Sequence, residues 1–230
     1  MDGLIYNGVF VAGTDTDVGK TVVSAAVLRY LNASGVSALG VKPVCCGVRD
    51  DVDRIQQANR EVGYDLPDDT VNPLYLLEPA APASMSVAIP SLSELVTPLQ
   101  QLEAEFQLVE GAGGWLVPVC QEWDMEALAQ EFAYPVILVV SNRLGALNHT
   151  LLTVRAIEQA GLPILGYFLN TVKHTEYTHA ENTNKDVLDA LLPFPCLGSI
   201  PHGGGAISSE AIASALGIEH DASVELSFNP

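Results

Sequence analysis

The chain has 230 residues, 48% of them hydrophobic, and 28 acidic against 10 basic residues give a formal net charge of −18. That length holds one domain with a sizeable core, and such a charge repels a nucleic-acid backbone unless the basic residues cluster, which they do not. No apolar stretch reaches the length needed to cross a bilayer, and the opening MDGLIYNGVF lacks the basic-then-apolar pattern of an export signal.

Cys45, Cys46, Cys120 and Cys196 show no C-x-x-C spacing, and the neighbours Cys45 and Cys46 would strain to bridge each other. The expectation is a reduced, cytoplasmic setting and a single domain over residues 1–230, with no membrane and no nucleic acid as partner.

The first predicted strand, Val9–Ala12, runs into GTDTDVGKT at residues 13–21 and then into a helix over Lys20–Leu31. Val23, Ala26, Val27 and Tyr30 recur at helical spacing and give that helix an apolar face. Strand, glycine loop and helix in this order are the context of a phosphate-binding loop. Gly13 and Gly19 let backbone N–H groups turn toward an anion, the helix N-terminus favours negative charge, and Lys20 adds a cation. The Thr21 hydroxyl is placed to meet Mg²⁺ beside the phosphates. The common pattern has four residues between its glycines; here there are five. In partition and division ATPases a signature lysine sits where this chain has Asp15, which argues against a nucleotide switch of that kind. The plain alternative is a strand–turn–helix connection with a capping threonine.

A second strand is predicted over Ala38–Val44 and delivers Lys42, within VKPVCCG, to the carboxyl edge of a sheet. There a cation can stabilise charge on a transferred phosphoryl group; otherwise Lys42 is a snorkelling surface lysine. RDDVDR follows, ahead of a predicted helix over Val52–Arg60. Its acids suit a helix start, and one of Asp50, Asp51 and Asp53 can complete a Mg²⁺ site. After a helix over Leu92–Glu103, the strand Phe106–Glu110 ends FQLVEGAGG, an acid at a strand end followed by glycines. That is how a carboxylate reaches Mg²⁺, directly or through water.

Helices over Met125–Glu131, Leu147–Ala160 and Lys185–Leu191 alternate with strands over Pro135–Val140, Ile164–Asn170 and Cys196–Ile200. The alternation predicts an α/β fold, a single-domain, mostly parallel sheet with helices on both faces, like the phosphate-loop NTPases. Its ligand site lies at the carboxyl ends of the strands. His149, His174, His179, His202 and His220 share no ligand spacing and read as structural or surface residues.

In order, GTDTDVGKT, VKPVCCG, TVNPLYLLEPAAP, LVEGAGGWLVP, YPVILVV and LGALNHTLLT resemble the dethiobiotin synthetase family from about Phe10 to Pro201. The five-residue loop spacing is also that family's. The resemblance implies ATP-dependent carboxylation and ring closure of 7,8-diaminopelargonate with CO₂, through a carbamate and a carbamic-phosphoric anhydride, using Mg²⁺. It implies that Thr16, Lys20 and Thr21 contact phosphate, carbamate and metal, within a nucleotide loop that includes Gly13, Asp17, Val18 and Gly19. Lys42 would lie between carbamate and γ-phosphate, and Glu110 and Asp51 would hold the metal, with Asp53 in reserve. Asn170 would read the adenine edge, with Pro201 opening the adjacent loop. Cys46 and Gly113 would line the substrate site. Gly145, Ala146, Leu147 and Asn148 would bind the substrate carboxylate across a homodimer interface. Cys46 stands where the family often has serine or threonine. Ala81, Pro82 and Ala83 replace a more polar triplet, and PHGGGAISSE is only loosely family-like. The alternatives are a partition or division ATPase, or an amide-forming ligase on the same fold.

Overall fold

The computed structural model describes residues 5–173 and 179–228. Strand β1 (Gly8–Gly13) is buried along its whole length, because alternate side chains serve two different cores. Phe10 and Ala12 face one apolar cluster, while Val9 and Val11 face the other. The same division runs through β6 (Val136–Ser141), where Val136, Leu138 and Val140 oppose Ile137 and Val139. Strands apolar on both faces need a helical layer on each side.

The sheet has six strands in the order β2 (Ala38–Val41), β5 (Phe106–Glu110), β1, β6, β7 (Ile164–Asn170) and β8 (Cys196–Ile200). Every pairing in it is parallel. One face is covered by α1 (Lys20–Ala33), α2 (Asp50–Glu61) and α8 (Glu210–Leu216), together with a hairpin of β9 (Gly205–Ile207) and β10 (Leu226–Phe228). The other is covered by α4 (Leu92–Gln100), α5 (Met125–Phe132), α6 (Ala146–Gln159) and α7 (His179–Leu191). The chain leaves β1 toward β2 on one side and reaches β6, β7 and β8 on the other. The crevice at the carboxyl ends beside β1 is therefore a switch point, where ligands bind in such sheets.

The strands predicted over Phe106–Glu110, Ile164–Asn170 and Cys196–Ile200 have the limits expected, and the other predicted strands and all six helices have counterparts with shifted ends. The largest correction concerns Ala38–Val44, which is not one strand. β2 stops at Val41 and β3 (Val44–Cys46) pairs instead with β4 (Leu74–Leu76) in a separate two-stranded sheet. Pro43 has no N–H to donate to a ladder, and the Lys42 N–H turns to the Val71 carbonyl. Helix α7 begins at His179, six residues before the predicted Lys185. The short α3 (Asp68–Val71), the 3₁₀ turn Pro82–Ser84, α8 and the hairpin have no counterpart in the sequence reading. His174 lies outside the described residues.

The hairpin is part of the core. Leu226 and Phe228 are buried while Ser227 between them is exposed, and the Phe228 ring meets Phe168 edge-on at 5.8 Å. Replacing Phe228 with alanine is expected to cost about 3–5 kcal/mol of stability. Urea unfolding checks this, and an unchanged midpoint would show that the hairpin does not contribute to the core.

Candidate functional site

At the carboxyl end of β1 the chain turns sharply, and its two loop glycines are needed for different reasons. A Cβ on Gly13 would lie 2.8 Å from the Val18 side chain and 2.9 Å from the Asp15 carbonyl. Gly19 sits at φ +93°, and a Cβ there would lie 2.1 Å from the Asn170 amide nitrogen. Asp17 also adopts a left-handed conformation, which aspartate tolerates better than most residues. Lys20, the first residue of α1, curls back over the loop, and its ammonium donates to the Asp15 carbonyl at 3.1 Å. Burial, then the neighbouring Lys42 charge, lowers its pKa to about 8. An anion in the loop would relieve both effects.

Behind the loop, Lys42 is 2% exposed and donates to Glu110 Oε1 at 2.5 Å and to the Gly111 carbonyl at 3.1 Å. It also pairs with Asp51 Oδ2 at 3.0 Å. Burial alone would lower this ammonium's pKa; the carboxylates of Glu110 and Asp51 outweigh it and hold the group above its ordinary value. Burial likewise opposes ionisation of Asp51, but the Lys42 charge and the Thr21 hydroxyl hold its carboxyl below the ordinary 3.8.

The Thr21 hydroxyl is 2.6 Å from Asp51 Oδ1 and 2.8 Å from Glu110 Oε1. It has one proton and faces two carboxylates, so only one of these contacts can be a full hydrogen bond. Glu110 is fully buried, and its Oε2 has no hydrogen-bond partner among the described residues. A hydroxyl, two carboxylates and an orphaned buried oxygen are the hard donors that Mg²⁺ takes, with phosphate oxygens and water supplying the rest. The residues therefore fit the ion. Among the described residues no group of three or more His, Cys, Asp or Glu forms a site made wholly by protein.

The structure brings Asp51 to this centre and leaves Asp53 exposed on α2. Thr16 is exposed at the loop mouth, and the Cβ position of Gly113 (φ +64°) is 3.4 Å from its hydroxyl, so the 111–114 turn closes on it. Cys46 is half-buried on β3, and burial raises its thiol pKa, which disfavours the nucleophilic thiolate. Asn170 is buried and its amide donates to the Val18 carbonyl at 2.9 Å. It reaches the loop itself, a contact the sequence reading does not contain. Pro201 is exposed at the end of β8, opening the glycine turn. Gly145, at φ +92°, precedes α6 without a side-chain cap, and Ala146, Leu147 and Asn148 form its first turn.

Sequence reasoning missed Arg143, whose guanidinium donates to Asp15 Oδ2 at 3.0 Å. It missed Asn184 too, a buried α7 residue that donates to Asn142 Oδ1 and to the Arg143 carbonyl. The signal for Arg143 was available: like Lys42, it is a cation at the end of an apolar strand.

A parallel sheet whose glycine loop feeds a helix, with two lysines and two acids at its carboxyl edge, defines a phosphate-loop nucleotide-binding protein. The AAA domain family matches residues 7–205. The fold is similar to the MinC–MinD cell division complex of Aquifex aeolicus, with TM-score 0.55 at 16% identity, over 86% of this chain and 82% of that one. It is also similar to a plasmid partition protein of Borrelia burgdorferi bound to AMPPNP, with TM-score 0.53 at 12% identity, over 85% of this chain and 86% of that one. Sequence similarity is closer to other proteins. An ATP-dependent dethiobiotin synthetase of Akkermansia muciniphila is 36% identical over 211 residues, covering 90% of this chain and 97% of that protein. One of Aliivibrio fischeri is 38% identical over 208 residues, covering 84% and 89%. The chain belongs to the dethiobiotin synthetase family.

The lowered pKa of Asp51 has a pH consequence. Its folded value lies below its unfolded one, so its contribution to stability is present above the ordinary 3.8 and is lost as pH falls through the folded value. Asp51→Asn should therefore be less stable than the parent at pH 7, with the gap narrowing toward pH 3 (~1 unit below the ordinary value). Urea titrations at both pH values check this; a gap that stays constant would mean that Asp51 is not held ionised by Lys42.

Proposed function

We propose that the chain catalyses ATP-dependent carboxylation and ring closure of 7,8-diaminopelargonate with CO₂, giving dethiobiotin, ADP and phosphate. The observation that carries the reading is Lys42, buried at the carboxyl edge between Glu110 and Asp51 and one side chain away from the phosphate loop. One amine of the substrate adds to CO₂ and loses a proton, forming a carbamate. A carbamate oxygen attacks the γ-phosphorus of ATP and ADP leaves. The second amine then attacks the carbonyl carbon of the mixed anhydride, expelling phosphate and losing a proton as the ring closes. Both amines belong to one molecule, so closure is intramolecular.

In this reading Lys20 and the loop N–H groups hold the phosphates. Lys42 meets the negative charge that grows on the transferred group, exchanging part of its bonding to Glu110 for the phosphoryl oxygens. Thr16 and Gly113 line the amine end, with Cys46 as a neutral wall. Thr21, Asp51 and Glu110 would hold Mg²⁺, which when bound supplies charge neutralisation of the phosphates. Asn170 and Pro201 flank the base.

We further propose a homodimer, with the α6 start of one protomer receiving the substrate carboxylate of the other. Exposed Leu144 and Leu152, 81% and 57% accessible, lie eight residues apart and support an apolar contact there. A helix N-terminus favours a carboxylate. No helix among the described residues is long and apolar enough to cross a membrane. We also infer a cytoplasmic enzyme of one domain over residues 1–230, and the charge of −18 disfavours nucleic acid and anionic lipid as partners. A nucleotide switch is the weaker reading, because Asp15 replaces the lysine and is tied to Arg143.

The test is to supply Mg-ATP and bicarbonate with and without 7,8-diaminopelargonate, measuring phosphate and, by mass spectrometry, dethiobiotin. Diamine-dependent phosphate release matched one-for-one by product is expected; release indifferent to the diamine would overturn the reading. Lys42→Gln, which keeps a donor for Glu110, should lose about 10²–10³ in kcat with ADP affinity retained. Equal loss of ADP affinity would remove Lys42 from the chemical step. Cys46→Ser should keep or modestly raise turnover, and abolished turnover with an intact fold would give the thiol a specific task.

A further inference from the structure

Asp15 stands at the mouth of the phosphate loop with both carboxylate oxygens engaged. Oδ1 accepts the Thr16 N–H at 2.8 Å, and Oδ2 accepts from Arg143 at 3.0 Å. Its carbonyl holds the Lys20 ammonium at 3.1 Å. One residue thus touches the phosphate-binding cation through its backbone and a second cation through its side chain. Arg143 is carried on the turn between β6 and α6, two residues before Gly145. That turn is braced from behind. Asn184 on α7 donates to Asn142 Oδ1 and to the Arg143 carbonyl, Asn142 donates to the Glu181 carbonyl, and the Asn142 N–H bonds the Asn170 carbonyl.

We infer that Arg143 and Asp15 are positioning residues that couple occupancy of the phosphate loop to the substrate-carboxylate end at the start of α6. The path is made of contacts that compete. A bound phosphate draws the Lys20 ammonium off the Asp15 carbonyl, and the Asp15 peptide is then free to readjust. Arg143 transmits that readjustment to Gly145 and the first turn of α6, because the far side of its turn is fixed to α7. In the proposed dimer, the α6 start serves the partner's substrate, so the pair also joins one active site to the other. The inference rests on the proposed function for the identity of the ligand at α6.

Both side chains of the pair are about half exposed, so the pair contributes little to stability, and the coupling it can carry is about two- to fivefold in affinity. The experiment is calorimetric titration of 7,8-diaminopelargonate into the full chain, with and without saturating Mg-ADP. Mg-ADP is expected to change diamine affinity by that factor. Arg143→Gln and Asp15→Asn should each bring the factor to about one, and the double variant should be no worse than either. Asp15→Asn keeps an acceptor for the Thr16 N–H, so affinity for Mg-ADP alone should stay within about twofold. The charge-swapped pair Asp15→Arg with Arg143→Asp should recover part of the coupling. A factor unchanged in the single variants overturns the inference while the function stands, and so does a uniform loss of affinity with the factor preserved. No diamine binding to the unsubstituted chain overturns both.

Discussion

An ammonium and a carboxylate buried together are costly unless each is fully engaged, and the Lys42–Glu110 pair sets the terms for the rest of this site. Glu110 has no solvent exposure and Lys42 almost none. Leaving either alone would cost several kcal/mol, so the elements that carry them must hold a common geometry. Glu110 ends β5, Lys42 follows β2, and Asp51 and Thr21 lie in the first turns of α2 and α1. Four elements meet within hydrogen-bond distance, although Thr21 and Glu110 are 89 positions apart in sequence. The centre is pre-arranged, and it is also unfinished: the Thr21 proton cannot serve both acids, and Glu110 Oε2 has no partner among the described residues. Buried groups whose bonding is incomplete are the feature that makes this centre fit the ion and the phosphate proposed for it.

The departure of Lys42 from the sheet is what puts its side chain there. At Lys42 the backbone leaves the ladder, its N–H bonded to the Val71 carbonyl and its own carbonyl accepting from the Asn72 amide at 2.7 Å. Val71 and Asn72 lie just ahead of β4, and the Leu74 N–H then bonds the Pro43 carbonyl at 3.1 Å as the β3–β4 pairing begins. α2 is held by a similar device. Asn59 accepts the Gly40 N–H at 2.8 Å and returns a bond to the Gly40 carbonyl at 2.9 Å. Side chain Asn59 thereby reads the edge strand as another strand would and fixes where Asp51 falls. Gly40 lets α1 and α2 approach, because a Cβ there would lie 2.5 Å from Leu28 and 2.9 Å from Ile55.

Much of this was legible in the sequence, for reasons of periodicity. Runs such as VFVA and VILVV, short, β-branched and bounded by turn residues, read as strands buried on two faces, and helices at 3.6 spacing between them point to a parallel sheet. The strand-end residues Lys42 and Glu110 were legible because parallel sheets present one edge to ligands, whereas Asn170 was singled out only by the family resemblance. What escaped was set by pairing over distance. Nothing local distinguishes Asp51 from Asp53; helical rotation turns one to Lys42 and the other to water. The Lys42-Pro43 break shows that a proline inside an apolar run should have ended β2 sooner. α8 and the hairpin lie in a segment rich in glycine and serine, where weak local preference is overridden by the packing of Ile212, Leu216, Leu226 and Phe228.

The electrostatic arrangement explains how a chain of charge −18 accommodates an anionic nucleotide. Three of the acids at the loop are engaged, Asp51 and Glu110 by Lys42 and Asp15 by Arg143, while Asp17 is exposed to water. That leaves Lys20, the most weakly compensated cation of the group, with its pKa lowered by burial and by Lys42. A group in that state favours an anion beside it, since phosphate supplies the stabilisation of charge that burial has removed. The surplus of carboxylates elsewhere acts over distances that salt screens within about 8–10 Å, whereas the loop works at contact. Net charge therefore governs solubility and approach, and the ordering of a few buried pairs governs what is held.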